Sequence, residues 1–175
     1  MIKSEKTKKL LDDLGVTSNK VNGMVSAIIG DYVEDLDSYL EEIRDKVEKG
    51  ELSDMELEKI TIRLPTYIYF ANERLEHLGV ESDVAGSMKS EAYDTKILDA
   101  EGTIPEKESQ ANLATIEEDI IEKAYKRAYK KLKAKIEKAE NVYTGVKKVV
   151  DKRKAETTFN HSTSTVSQGG NNEQT

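Results

Sequence analysis

The fold is decided by residues 103–154, which read TIPEKESQANLATIEEDIIEKAYKRAYKKLKAKIEKAENVYTGVKKVVDKRK. The stretch opens with a threonine that can cap a helix, a proline in the first turn and Glu106 at the position that closes a capping box. Apolar residues then recur every third or fourth position for about ten turns. They are Leu113, Ile116, Ile120, Ala124, Ala128, Leu132, Ile136, Ala139, Tyr143, Val146 and Val150. We therefore predict one long amphipathic helix over about 104–155.

The composition of the whole chain agrees with long helices. Of 175 residues, 37% are apolar and 35% are charged, with only two prolines and no tryptophan. This profile is typical of long amphipathic helices and argues against a β-rich fold. We predict an all-α protein in which long antiparallel helices form an elongated bundle, completed by oligomerisation.

The N-terminal part carries two helical patterns. A short one over about 3–14 stops at Gly15, a favourable residue at the end of a helix. A longer one over about 18–49 places apolar residues in a single stripe and acidic residues on the opposite face. Because a stripe of this kind must be buried, we expect this second helix to pack against the rest of the bundle.

The middle of the chain begins with Ser53 and Glu56, which form a second capping box. The pattern that follows predicts a helix over about 53–79, antiparallel to the preceding one. Pro65 lies inside it, so we expect either a kink or a break into two helices at that residue. A weaker pattern predicts a further helix over about 83–101.

The C-terminal residues differ in composition from the rest. Residues 157–175 are rich in Ser, Thr, Asn and Gly and contain almost no apolar side chains. A segment of this kind cannot bury enough apolar surface to offset the entropy of ordering it. We therefore predict a helical domain over 1–156 followed by a disordered polar tail over 157–175.

The charges of the chain are strongly segregated. The formal net charge is −7. Residues 123–154 nevertheless contain thirteen Lys or Arg against three acidic residues, a net charge of +10 that leaves −17 on the remainder. The mean charge therefore hides a basic helix that suits a polyanionic partner.

Cellular location is predicted from what the sequence lacks. There is no cysteine, which excludes disulfides and thiol chemistry and is typical of a reducing compartment. The polar start of the chain leads into no apolar leader region, and no stretch approaches the roughly 20 apolar residues that cross a bilayer. We expect a cytoplasmic protein, in the host cytoplasm if it is phage-encoded, with no membrane partner.

Signs of enzymatic chemistry are few. The two histidines, His77 and His161, are far apart in sequence, and phosphate-binding loops and nucleophile motifs are absent. Acid pairs three residues apart, at 42–45 and 73–76, match the spacing by which all-α hydrolases hold magnesium, but an acid-rich chain produces such pairs by chance. We predict a protein that is not an enzyme, with no metal and no cofactor, and keep a magnesium enzyme as the third alternative.

The candidate binding site lies within residues 125–135, where cations occupy nearly every position outside the apolar stripe. Lysine and arginine gain affinity for phosphates by releasing condensed counterions, and aromatic rings stack on unpaired bases. This combination predicts binding of single-stranded DNA without sequence preference. The residues predicted to contact phosphates are Lys126, Arg127, Lys130, Lys131, Lys133 and Lys135, and the rings predicted to stack on bases are Tyr125 and Tyr129.

A second interpretation needs no nucleic acid. The same cations are accounted for if they are solvated or paired with the acidic helix over 18–49, with both tyrosines packed in the core. The protein would then be a helical structural or interaction protein, such as an assembly scaffold or an inhibitor of a protein partner. Segregation of acid and base on different helices also predicts a homo-oligomer, because neighbouring copies can pair opposite faces.

Residues 70–155 resemble the phage recombination-mediator family of the UvsY type. The resemblance consists of Arg74-Leu75 closing a helix, the triplet Lys89-Ser90-Glu91, a short linker, and a C-terminal helix that ends in the cationic stretch 147–153. It implies a non-catalytic protein that forms a ring-like homo-oligomer, wraps single-stranded DNA, and contacts a recombinase and a single-strand-binding protein.

The chain departs from that family at one functional position. Basic residues before the Arg-Leu pair help the family to hold DNA, whereas this chain has Phe70-Ala71-Asn72-Glu73 there. It also has a longer acidic N-terminal helix and a polar tail. The prediction of DNA binding therefore rests on residues 123–154.

Overall fold

The computed structural model describes residues 5–168, with side chains for 15–30 and 33–159. The described chain contains four helices and no strand, so the predicted all-α class is confirmed. The helices are α1 (Glu5–Lys49), α2 (Asp54–Asp99), α3 (Ile104–Ala114) and α4 (Ile116–Gln168).

The predicted antiparallel pair of α1 and α2 is confirmed. The chain reverses at Gly50, whose φ of 70° is in the left-handed region that glycine adopts most easily. Ser53 then caps α2 by accepting a hydrogen bond from the Glu56 N–H at 3.3 Å. Across the turn, Lys46 Nζ in α1 donates to the Glu56 carboxylate at 2.6 Å, which ties the two helix ends together.

Helix α4 lies antiparallel to α2 and parallel to α1. Its C-terminal part contacts the start of α2, where the Arg153 guanidinium donates to the Leu52 carbonyl at 3.1 Å. Its N-terminal part contacts the far end of α2 through Lys89 and Asp119. The three long helices thus form an elongated bundle in which α4 contacts both of the others.

The core is one continuous apolar cluster between these three helices. Helix α4 contributes alanines that are completely buried, and these small side chains let α1 and α2 approach its backbone closely. Longer side chains fill the space between the alanines. The largest fully buried side chains are Leu36, Leu57, Ile60, Leu64, Leu78 and Leu132.

The N-terminal half has fewer helices than predicted. Helix α1 runs without interruption through Gly15, so the prediction of separate helices over 3–14 and 18–49 is wrong. Gly15 does not have the positive φ that ends a helix at glycine, because among the described residues only Gly50 and Gly102 have a positive φ. A glycine inside a helix costs about 1 kcal/mol relative to alanine, which a helix of 45 residues tolerates.

Helix α2 is also one element where two were predicted. It continues through Pro65 to Asp99, so the separate helices over 53–79 and 83–101 are merged. Leu64 and Ile68, on either side of the proline turn, are both buried in the core. Their packing holds this turn in the helix despite the missing backbone hydrogen bond of Pro65.

The C-terminal helix, in contrast, is divided. The predicted single helix over 104–155 is interrupted at Thr115, so the short α3 precedes α4. Thr115 is buried, with φ of −110° and ψ of 20°, and its N–H and its hydroxyl both donate to the Ala111 carbonyl, at 3.1 and 2.9 Å. Thr115 lies within an uninterrupted apolar pattern, so the periodicity of the sequence does not reveal the break.

Helix α4 extends beyond its predicted end. It continues to Gln168, whereas the sequence predicts a helix that ends at about 155, and residues 169–175 lie outside the described residues. The hydroxyls of Thr157 and Thr158 each donate at 2.9 Å to the carbonyl four residues earlier. These local bonds satisfy the two hydroxyls within the helix, although the segment is polar.

Between residues 5 and 168, no helix combines the length and the apolar composition that crossing a bilayer requires.

Candidate nucleic-acid interface

The predicted basic segment lies entirely within α4. Ala124, Ala128 and Leu132 form its core-facing side and are completely buried. The cations therefore occupy the remaining circumference of the helix. Their surroundings divide them into paired and unpaired groups.

The first cations of the segment are paired. Lys123 binds Asp119 and Lys126 binds Glu122, each one turn earlier in α4. Lys89 of α2 binds the same two carboxylates, at 2.5 Å to Asp119 and 2.9 Å to Glu122. Three cations thus share two acids at the contact between α2 and α4, and Lys126, a predicted phosphate ligand, is one of them.

The pKa values of this cluster reflect the pairing. Hydrogen bonds from Lys126 and Lys89 lower the pKa of Glu122. Burial raises the pKa of Asp119, but the hydrogen bonds from Lys123 and Lys89 outweigh it, so the pKa is lowered overall. The hydrogen bond to Asp119, followed by that to Glu122, raises the pKa of Lys89. Lys89, Asp119 and Glu122 are therefore charged at neutral pH.

Replacing Lys89 with methionine is expected to lower the free energy of unfolding by about 1 kcal/mol at neutral pH, because the pair is only partly shielded from solvent. Carboxyl groups with lowered pKa values stabilise the fold above their unfolded-state pKa values and lose this effect as the pH falls through the folded-state values. The difference between wild type and variant should thus disappear in acid. Urea denaturation at pH 7 and at about pH 2 measures it.

Lys130 supplies the control for this prediction, since it is exposed on α4 and has no ion pair within the described residues. Lys130→Met should change the unfolding free energy by less than about 0.5 kcal/mol at either pH. A Lys89→Met effect that stays equally large in acid would contradict an ionic origin.

A second paired cation lies against α1. Lys135 binds Asp37, which joins the basic helix to the acidic one. Both residues line an open groove of about 400 Å³ between α1 and α4, together with Lys131 and the acidic residues Glu34 and Glu41. The interpretation in which the acidic helix pairs with these cations thus holds within one chain for Lys135.

Four of the predicted phosphate ligands have no such partner. Arg127, Lys130, Lys131 and Lys133 are exposed, and no described carboxylate lies within 4 Å of their charged atoms. Arg127, Lys130 and Lys131 are three and four residues apart and lie on one side of α4, whereas Lys133 is about a third of a turn away from Arg127.

Lys138 was missed by the sequence analysis. It is exposed and lies eleven residues after Arg127, about three turns along the same side of α4. The spacing of Arg127, Lys130/Lys131 and Lys138 is the signal that could have identified it. We call these four residues the basic face.

The two tyrosines lie beside α2. Both are half-buried and pack against the core cluster. The ring of Tyr129 lies so close to Gly79 that a Cβ at this glycine would be 3.7 Å from Cε2. Tyr125 lines an apolar groove with Val80 and Val84 of α2. Only part of each ring is therefore open to a base.

The residues that carry the family resemblance have structural partners. Arg74 and Leu75 lie in the middle of α2, so the expectation that they close a helix is wrong. The Arg74 guanidinium makes two hydrogen bonds to Glu81, at 3.2 and 3.3 Å. Lys89 is held in the ion-pair cluster with Asp119 described above.

The acidic pairs considered for magnesium do not form a visible metal site. Within the described residues, no three His, Asp or Glu side chains are grouped so that they could hold a metal ion. Glu42 accepts a hydrogen bond from Lys46 at 2.7 Å. His77 is exposed on α2, and the side chain of His161 lies outside the described residues.

Comparisons with models of known protein families, with curated proteins and with solved structures find no match to this chain. A functional proposal therefore rests on the chain's own residues.

Proposed function

We propose that this protein is a non-catalytic accessory protein that binds single-stranded DNA along the basic face of α4 and acts as a homo-oligomer. The observation that carries the proposal is the exposure of Arg127, Lys130 and Lys131 on one side of α4 without a carboxylate partner among the described residues. An acidic chain would be expected to neutralise such cations, as this chain does with Lys126 and Lys135.

The dimensions of the basic face suit a phosphate backbone. Eleven residues separate Arg127 from Lys138, which places them about 16 Å apart along the helix. This length is several times the rise per nucleotide in one strand of B-form DNA, which is about 3.4 Å. Adjacent cations can therefore bind successive phosphates and release their counterions. Such binding has no sequence preference.

The partly exposed tyrosines fit a secondary role. Stacking on a base contributes about 1–3 kcal/mol when a ring is open to it, and Tyr125 and Tyr129 present only part of their rings. Most of the affinity then comes from phosphate contacts. The affinity for DNA should therefore depend strongly on the salt concentration.

The biological setting that we propose is phage-type recombination or replication. Support comes from the resemblance of residues 70–155 to the UvsY-type mediators, which load a recombinase onto single-stranded DNA. On this proposal the protein partners are a recombinase and a single-strand-binding protein. The free cations of the basic face, and not Arg74 or Lys89, supply the contacts to DNA.

A fluorescence-anisotropy titration with a labelled oligothymidine tests the proposal. The logarithm of the association constant should fall linearly with the logarithm of the salt concentration, with a slope of about −0.7 for each phosphate contact. With four contacts the slope is about −3 between about 50 and 200 mM salt. A titration that shows no binding at the lower salt concentration would rule the proposal out.

A helical interaction protein is the second candidate function. It is favoured by the pairing of Lys135 with Asp37 and by apolar side chains exposed on α2, among them Ile62 and Tyr69. On this candidate, neutralising Lys130, Lys131 and Lys133 changes the oligomer mass or the binding of a partner, and the wild type has no affinity for DNA. Light scattering on both proteins separates the two candidates.

A further inference from the structure

The outer side of α2 exposes large apolar side chains along most of its length. Met55, Ile62, Tyr69, Phe70 and Val84 are each more than half exposed. The rings of Tyr69 and Phe70 lie edge to face, with centroids 5.6 Å apart, but neither is covered by the bundle. A row of apolar side chains, unlike a single one, marks an interaction surface.

These residues follow the spacing of a helix–helix seam. Met55, Ile62 and Tyr69 are seven residues apart, and so are Arg63, Phe70, His77 and Val84 in a second row. Residues seven apart stay on one side of a helix that packs along another helix. Both rows are exposed, whereas the core of the bundle is formed by other positions of α2, such as Leu64 and Leu78. We call the two rows the outer face of α2.

The outer face can pair with the outer face of a second copy when the two α2 helices are antiparallel. Met55 lies fourteen residues before Tyr69, and Val84 lies fourteen residues after Phe70. When two copies of α2 lie antiparallel with a two-fold axis between Tyr69 and Phe70, Met55 of one copy is adjacent to Val84 of the other. A two-fold interface requires such self-complementarity, because each residue meets its counterpart twice.

One pair of opposite charges fits the same symmetry. Arg63 lies six residues before Tyr69 and Glu76 lies six residues after Phe70, so the two residues meet in the antiparallel pair. Both are exposed, and no oppositely charged side chain among the described residues lies within 4 Å of either. The Arg63 guanidinium lies 5.5 Å from the centre of the Tyr39 ring, a contact that leaves its N–H groups free for a carboxylate. Within one helix the two residues are about 20 Å apart and cannot pair.

The apolar groove next to Tyr125 fits this arrangement. It has a volume of about 310 Å³ and is lined by Val80, Val84, Met88 and Ile121. Because Met55 of a second copy is adjacent to Val84, its flexible side chain can enter the groove. The second copy would then cover the exposed apolar side chains that line the groove.

We propose that a second copy of this chain covers the outer face of α2, with the two α2 helices antiparallel about an axis between Tyr69 and Phe70. Arg63 of each copy pairs with Glu76 of the other. The inference rests on the proposed function in one respect, that the protein forms a homo-oligomer. It adds the specific interface through which two copies associate. The test uses protein without nucleic acid, so failure of DNA binding and failure of this interface are distinguishable.

Exchange of the two charges is the principal test, with the mass measured by sedimentation over a range of protein concentrations. Arg63→Glu alone and Glu76→Arg alone should each raise the dissociation constant of the dimer by about tenfold or more, because like charges then face each other. The double variant Arg63→Glu/Glu76→Arg should restore it to within about threefold of wild type. Since the two positions cannot meet within one chain, restoration requires a second copy.

Cysteine pairs test the register, since the chain contains no cysteine. Thr66 and Glu73, three residues on either side of the axis, are adjacent only between copies. Thr66→Cys/Glu73→Cys should form a covalent dimer on oxidation, and neither single variant should do so. Cross-linking of a single variant, which an interface with parallel helices produces, would overturn the proposed orientation.

Removal of the aromatic pair tests the centre of the interface. Tyr69→Ser/Phe70→Ser should make the protein monomeric at concentrations where the wild type is dimeric, because central aromatic residues dominate such interfaces. Leu98→Ser removes a side chain 81% exposed on the same helix, fourteen residues beyond Val84, where the antiparallel pair places no α2 residue of the second copy opposite it. This matched control should leave the mass unchanged. A wild type that remains monomeric throughout, or a mass that Tyr69→Ser/Phe70→Ser does not change, would refute the proposal.

Discussion

Replacing Arg127, Lys130 and Lys131 together with glutamine is expected to lower the affinity for single-stranded DNA about 100-fold at about 0.1 M salt. Three phosphate contacts contribute about 2 to the slope of log affinity against log salt, which corresponds to two powers of ten at this concentration. The slope itself should become shallower by the same amount. Anisotropy titrations of wild type and variant at several salt concentrations measure both quantities.

The control for this prediction removes the same charge from other parts of the surface. Lys20, Lys49 and Lys96 are exposed and have no ion pair among the described residues. Replacing all three with glutamine gives a net charge of −10, as in the test variant. The control should change the affinity by less than about threefold, because distant charges are screened within about 10 Å. Equal losses in both variants would show that total charge, and not the basic face, determines binding.

The second large effect is expected in the core. Leu132→Ala should lower the free energy of unfolding by about 2–5 kcal/mol, because it removes a completely buried side chain from α4, the helix that contacts both α1 and α2. Domains of this size are commonly stable by only about 5–15 kcal/mol. The loss would therefore be visible as a large decrease in the urea concentration at the midpoint of unfolding.

The same substitution on the surface provides the comparison. Leu98 is 81% exposed on α2, so Leu98→Ala should change the free energy of unfolding by less than about 0.5 kcal/mol. If Leu132→Ala were as mild as Leu98→Ala, α4 would not occupy the centre of the bundle. Circular dichroism on both variants separates a loss of stability from a loss of helical structure.

The local features of the fold were predictable from neighbouring residues. The apolar stripe of α4 predicted its buried side, and Ala124, Ala128 and Leu132 are all completely buried. The start of α3 is set by the capping box, in which the Glu106 carboxylate accepts the Thr103 N–H at 2.8 Å. These signals lie within one or two helical turns, so a single sequence contains them.

The continuity of the helices depended on packing between distant segments. The burial of Leu64 and Ile68 keeps α2 helical at Pro65, and α3 ends before buried Thr115 although the apolar pattern continues. The cost of a proline inside a helix is comparable to the contribution of the neighbouring buried side chains. Local propensity therefore cannot decide which of the two prevails.

The charges of the candidate site likewise depend on both the sequence and the packing of the helices. The sequence by itself determined that α4 is basic, since the cations at 123–154 are covalently fixed along one amphipathic helix. The i,i+4 spacing of Glu122 and Lys126 allowed their pairing within α4, but only the tertiary structure decided which of the other cations remain unpaired. Lys126 is paired in the cluster that Lys89 of α2 joins, and Lys135 is bound by Asp37 of α1. Because a charge acts over a few ångströms, its partners depend on which helices pack together, and the packing leaves the basic face open to solvent.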